Sequence, residues 1–110
     1  MNPQSSLEVV RLAGELDVSR REEVVAALER AAAAPAVLID LSDVPYADST
    51  VLAELLRFHG TAEANGRRVA VLITSPQVSR ILEYAGVPAT FPVYTDRGAA
   101  LTHLAGTKAE

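Results

Sequence analysis

Two short, almost unbroken apolar runs constrain the fold of this chain most: Ala36–Leu41, and Arg68–Thr74 through Val69, Val71, Leu72 and Ile73. Neither alternates with polar residues as a strand with one wet face would. The pattern is that of strands covered on both faces, as at the centre of a parallel sheet. After each run the spacing changes. From Ser49 onward, Leu52, Leu55, Leu56 and His59 recur at helical period, widened by Val51, Phe58 and Ala62, until Asn65-Gly66 supplies a stop. From Ser75-Pro76, an N-cap followed by proline at the first helical position, Val78, Ile81, Leu82 and Ala85 form another stripe, closed by Gly86.

The flanks continue the alternation. Leu7–Ala13 reads as a strand running to Gly14-Glu15-Leu16-Asp17, and Ser19-Arg20-Arg21-Glu22 has the spacing of a capping box that starts a helix. Val24, Ala27, Leu28 and Ala31 mark its apolar face, and Pro35 ends it. Phe91–Tyr94 is a last short strand, after which Thr95 caps a helix carrying Ala100, Leu101 and Leu104. Strands alternating with helices imply an α/β sandwich. The whole chain, 1–110, reads as one domain with its ordered core at about 7–105.

With 49% of its residues apolar and 22% charged, the chain is too hydrophobic to be disordered. A net charge of −4 and only two adjacent basic pairs, Arg20-Arg21 and Arg67-Arg68, argue against nucleic acid as a partner. The absence of cysteine excludes a disulfide framework and any thiolate chemistry. The longest uncharged apolar stretch, Ala31–Ile39, is broken by Pro35 and too short to span a membrane. The expectation is a cytoplasmic protein without a membrane segment.

Asp48-Ser49-Thr50 is the chemically suggestive triplet, because it puts a hydroxyl at a helix N-terminus, where unpaired N–H groups and the helix dipole tolerate a phosphate. Asp, Ser and Thr also start helices for purely structural reasons. A Ser-His-Asp hydrolase is disfavoured: His59 lies along the same helix, roughly 15 Å from Ser49 by helix rise, and no nucleophile-elbow motif surrounds the serine. His59 continues an apolar stripe and reads as a partly buried core histidine. Two histidines far apart in sequence give no metal-ligand spacing, and the isolated glycines match no nucleotide-binding fingerprint, so no cofactor is expected. Loops after parallel strands gather at the sheet's carboxyl end, which would bring Asp17 near Asp48.

Arg11-Leu12-Ala13-Gly14-Glu15-Leu16-Asp17 and Val37–Thr50, in which a strand feeds an Asp-Ser-Thr turn, are together fairly specific. On these, and on Val78–Gly86 and Phe91–Tyr94, the chain resembles a STAS domain of the bacterial anti-sigma factor antagonist type over nearly its whole length. The resemblance implies a STAS-like fold, with a mixed central sheet of about four to five strands packed with about four helices. It implies that Ser49 is phosphorylated by a GHKL-type serine kinase that is also the anti-sigma factor. The unphosphorylated form then binds that kinase and frees a sigma factor, and a PP2C-like phosphatase resets the switch. Asp17, Asp48, Thr50 and Val51 would share the partner-facing surface with Ser49, Thr50 being a secondary acceptor, and the chain itself would not be an enzyme.

Two departures from the family pattern stand out. Val51 occupies the position of the family's glycine, adding a branched side chain where a kinase must approach; this favours an alternative, a constitutive STAS interaction module in a transporter-associated or signalling complex. Only Met1–Ser6 precedes the first strand, where the family usually has a further strand. An uncovered sheet edge would favour self-pairing into a homodimer.

Overall fold

In the computed structural model, which describes residues 7–85, 87 and 91–105, strand and helix alternate. The elements are β1 (Leu7–Ala13), a 3-10 turn (Val18–Arg20), α1 (Arg21–Arg30), β2 (Ala36–Asp43), α2 (Ser49–Ala64), β3 (Arg68–Ile73), α3 (Pro76–Tyr84), β4 (Val93–Tyr94) and α4 (Arg97–Ala105). The sheet order is β1-β2-β3-β4 and every pairing is parallel. A mixed sheet was expected; the four described strands are all parallel, and residues 1–6, the stretch ahead of the first strand, lie outside the described residues.

The two apolar runs follow from this topology. Side chains alternate across a strand, so Val37, Ile39 and Leu41 of β2 and Val69, Val71 and Ile73 of β3 pack with Val24, Leu28, Leu52, Leu55, Val78 and Leu82 of α1, α2 and α3. Their neighbours Ala36, Leu38, Ala70 and Leu72 point the other way, onto Ala100 and Leu104 of α4. Fully burying one such Val, Leu or Ile is worth about 1.5–3 kcal/mol, and both strands are covered on both sides. β1 differs: Val10 and Leu12 are buried, whereas Leu7, Val9 and Arg11 are exposed, α4 packing mainly on β2 and β3.

Asp40 is the polar exception inside β2. Its side chain is fully buried on the α4 side of the sheet, where Arg97 of α4 donates to it at 2.5 Å and the Arg11 guanidinium lies 3.4 Å away. The Ser42 amide and hydroxyl donate to its other oxygen at 2.9 and 2.6 Å. Burial pushes the carboxyl up, but the two Ser42 bonds and Arg97 outweigh it and hold Asp40 below the usual carboxylate range. Glu54 ties α1 to α2 in a similar way, accepting from Arg57 at 2.6 Å and Arg21 at 2.8 Å.

Several helix starts differ from the sequence reading. Asp17, not Ser19, caps the turn before α1; its carboxylate accepts from the Ser19 amide at 3.0 Å, so the Ser19 side chain serves Asp17 and the capping box does not form. Asp96 takes the role expected of Thr95, accepting from the Ala99 amide at 2.8 Å. Ser75 caps α3 and Pro76 opens it, as expected. Ala85 and Leu101 are exposed where burial was expected. Gly86 lies outside the described residues. Phe91 packs edge-on against His59, with ring centroids 5.3 Å apart, and does not join β4.

Candidate functional site

The site grows from the exits of β1, β2 and β3. β1 is followed by Gly14, whose φ of +81° and close approach to the Arg20 guanidinium leave no room for a side chain without strain. Its amide donates to the Asp43 carbonyl at 3.0 Å. Two residues on, Leu16 and Ala47 form a parallel bridge outside the main strands. The Leu16 amide donates to the Tyr46 carbonyl and the Asp48 amide to the Leu16 carbonyl, both at 2.9 Å. The expected proximity of the Asp17 and Asp48 loops is therefore a direct backbone pairing.

The loop into α2 is held from the other side as well. Thr74 donates its hydroxyl to the Ser42 carbonyl at 3.1 Å, and Ser75 donates to the Pro45 carbonyl at 2.8 Å. The segment from Ser42 to Asp48 is thus tied to the exits of both neighbouring strands. Asp48 is the N-cap of α2, in extended conformation, and its carboxylate accepts from the Thr50 amide at 2.7 Å. Ser49 is the first residue of the helix, and it is exposed. Among the described residues no side chain engages its hydroxyl.

Of the residues singled out by sequence, Asp17, Asp48, Ser49 and Thr50 gather at this end of the sheet, with Asp17, Ser49 and Thr50 exposed and Asp48 half-buried. Val51 does not join them. It was expected on the partner-facing surface, but its side chain is 0% exposed and belongs to the core beside Leu52 and Leu55. The third residue of α2 points inward, so the valine fills the interior and adds no bulk outside. His59 also lies elsewhere, 3.8 Å from Glu63 and against Phe91. Among the described residues no group of His, Asp and Glu is arranged to hold a metal.

Two residues of this surface escaped the sequence reading. Val18 is 59% exposed directly after Asp17, and Tyr46 is 36% exposed two residues before Asp48. Large apolar side chains left in water beside a clamped loop suit a contact surface. The signal in the sequence was their position: each stands within two residues of an acidic N-cap, outside any helical or strand period.

Ser49 is exposed, the loop behind it is held by hydrogen bonds from both neighbouring loops, and the helix dipole at this position favours negative charge.

The family model described as "Mlab, STAS domain" matches residues 2–91. No curated protein matches. Among solved structures, an anti-sigma factor antagonist from Mycobacterium paratuberculosis is 27% identical, with a TM-score of 0.83 over 91% of this chain and 86% of that one. The anti-sigma factor antagonist SpoIIAA in its unphosphorylated form is 23% identical, with a TM-score of 0.74 over 94% and 92%; the Bacillus protein has also been solved phosphorylated. A sulfate transporter family protein from Wolinella succinogenes is 16% identical, with a TM-score of 0.67 over 93% and 89%. The parallel α/β architecture, the two clamped loops and the match over most of the sequence agree: the chain belongs to the STAS domain family.

Proposed function

We propose that the chain is an anti-sigma factor antagonist that acts in the cytoplasm and is switched by phosphorylation at Ser49. The observation that carries this reading is the exposed Ser49 hydroxyl at the first residue of α2, on a loop tied to both neighbouring loops. Unphosphorylated, the surface of Asp17, Asp48, Ser49 and Thr50 binds an anti-sigma factor that is a GHKL-type serine kinase. That kinase supplies the ATP and magnesium, and a PP2C-like phosphatase reverses the step. In this reading the chain is a substrate and a binding protein, not an enzyme.

Phosphate adds about −1.5 to −2 charges and three acceptor oxygens beside Asp48. A loss of roughly 2.7 kcal/mol in the complex lowers affinity about a hundredfold, enough to exchange partners. The burial of Val51 supports this reading, since its branched side chain lies in the core and not on the surface around Ser49.

A second reading, a constitutive module in a transporter-associated complex, is favoured by the likeness to a sulfate transporter family protein. The test is a pull-down from the native host with wild type, Ser49→Ala and Ser49→Asp, bound proteins being identified by mass spectrometry. Capture of a GHKL-type ATPase by wild type and the alanine variant but not the aspartate variant supports the switch. The same partners on all three, or no such ATPase, supports the constitutive module.

A further inference from the structure

β1 stands at one end of the sheet, and among the described residues β2 is its one strand neighbour. An edge strand seven residues long is a template for another strand, because among the described residues no strand pairs with its outer row of amides and carbonyls. The face beside that edge is open as well. Leu7 and Val9 are 37% and 46% exposed, and Leu101 of α4, at 37%, stands with Leu7 on the wall of an apolar hollow of about 520 Å³. β4 at the opposite end pairs through only two residues and offers no comparable length.

From this edge we infer that the chain forms a two-fold symmetric dimer, β1 pairing antiparallel with β1 of a second copy so that one sheet runs through both. Symmetry narrows the register. A two-fold axis normal to the sheet keeps every side chain on its own face, so the axis must pass through a residue and not between two. With the axis at Val9, this valine meets the partner subunit's Val9 on the open face, and Leu7 meets the partner subunit's Arg11. The arginine stem then covers the leucine while its guanidinium keeps the contact with Asp40, 3.4 Å away.

On the other face Glu8 lies opposite the partner subunit's Val10, so no like charges stand directly opposed. An axis at Val10 would set Val9 against arginine and Leu7 against alanine, covering less apolar surface. The antiparallel arrangement also carries the two Ser49 hydroxyls to opposite ends of the joint sheet, leaving both accessible. The inference does not depend on Ser49 being phosphorylated.

The experiment is sedimentation of the full chain over a range of concentrations, comparing wild type with Val9→Lys and with Tyr84→Lys as a control at an exposed apolar position on α3. The expected result is a wild type that shifts to twice the monomer mass, a Val9→Lys variant that dimerises at least tenfold more weakly with unchanged circular dichroism, and a control that behaves as wild type. The chain has no cysteine, so Val9→Cys tests the register directly. Residues facing each other across antiparallel strands are about 4.5–5.5 Å apart at Cα, within disulfide reach, and mild oxidation should link the two copies. A wild type that stays monomeric, including one whose β1 edge is covered by residues 1–6 of its own chain, overturns the inference. So does a dimer that Val9→Lys leaves intact and Val9→Cys does not cross-link.

Discussion

Replacing Asp40 with asparagine should unfasten α4. The substitution keeps the shape of the side chain and an oxygen for Ser42, but removes the charge that Arg97 meets at 2.5 Å and Arg11 at 3.4 Å. Breaking a buried ion pair costs about 3–5 kcal/mol when the surviving charge is stranded. Here Arg97 and Arg11 are 42% and 61% exposed, so water takes over much of their solvation. The range for hydrogen bonds to charged groups, about 1.5–3 kcal/mol, is the better guide.

The expected loss is about 2 kcal/mol, or roughly 8–10 °C in Tm for a chain of this length. Urea denaturation of Asp40→Asn, Arg97→Gln and the double variant should give a coupling of about 1–2 kcal/mol. Hydrogen exchange should quicken in α4 more than in α2. A variant within 0.5 kcal/mol of wild type, or additive effects of the two substitutions, would refute the reasoning.

Three further outcomes can be stated. Val51→Gly, which restores the glycine of the resemblance, should cost about 3 kcal/mol in denaturant, from the lost burial of a valine and the looser helix backbone, while leaving the rate of Ser49 phosphorylation by its kinase unchanged. Asp48→Ala should cost about 0.5–2 kcal/mol through loss of the cap on Thr50, with exchange at the first turn of α2 as the local readout. His103 is held below the ordinary histidine value, by burial first and by Arg68 next. As pH falls through about 6.5 the unfolded chain therefore protonates before the folded one, so stability is full above that pH and declines below it; His103→Gln should remove this slope, measured by Tm at stepped pH.

Legibility in the sequence followed distance along the chain. β2, β3, the start of α2 at Ser49 and the Ser75-Pro76 opening of α3 were readable because their signals are local: runs, periods and caps within a few residues. The capping of α1 was misassigned because Asp17 and Ser19 both suit an N-cap, and only the backbone decides which side chain accepts. Asp40 carried no warning at all, since its partners Arg11 and Arg97 are far away along the chain and the strand around it reads as plain apolar. Val51 misled for a different reason: the family pattern says which residue is unusual, but the helix register decides whether it points in or out. The approach of Asp17 to Asp48 was inferable from topology alone, whereas the ties from Thr74 and Ser75 needed the structure.

An all-parallel order has a consequence for how this chain reaches its folded state. None of the four described strands can find its neighbour through a tight turn: Leu7 pairs with Ala36, Ala36 with Arg68, and Val71 with Val93. Each closure spans some two to three dozen residues, and its entropy is lost before any ladder bond forms. Such chains fold slowly for their size, because non-local pairings dominate. The β2–β3 pair, apolar on both faces, is the natural nucleus, and β4, held by two residues, is the natural latecomer. During synthesis β2 therefore waits for β3 to emerge with its hydrophobic faces uncovered, and a chaperone acting on this protein would meet it at that stage.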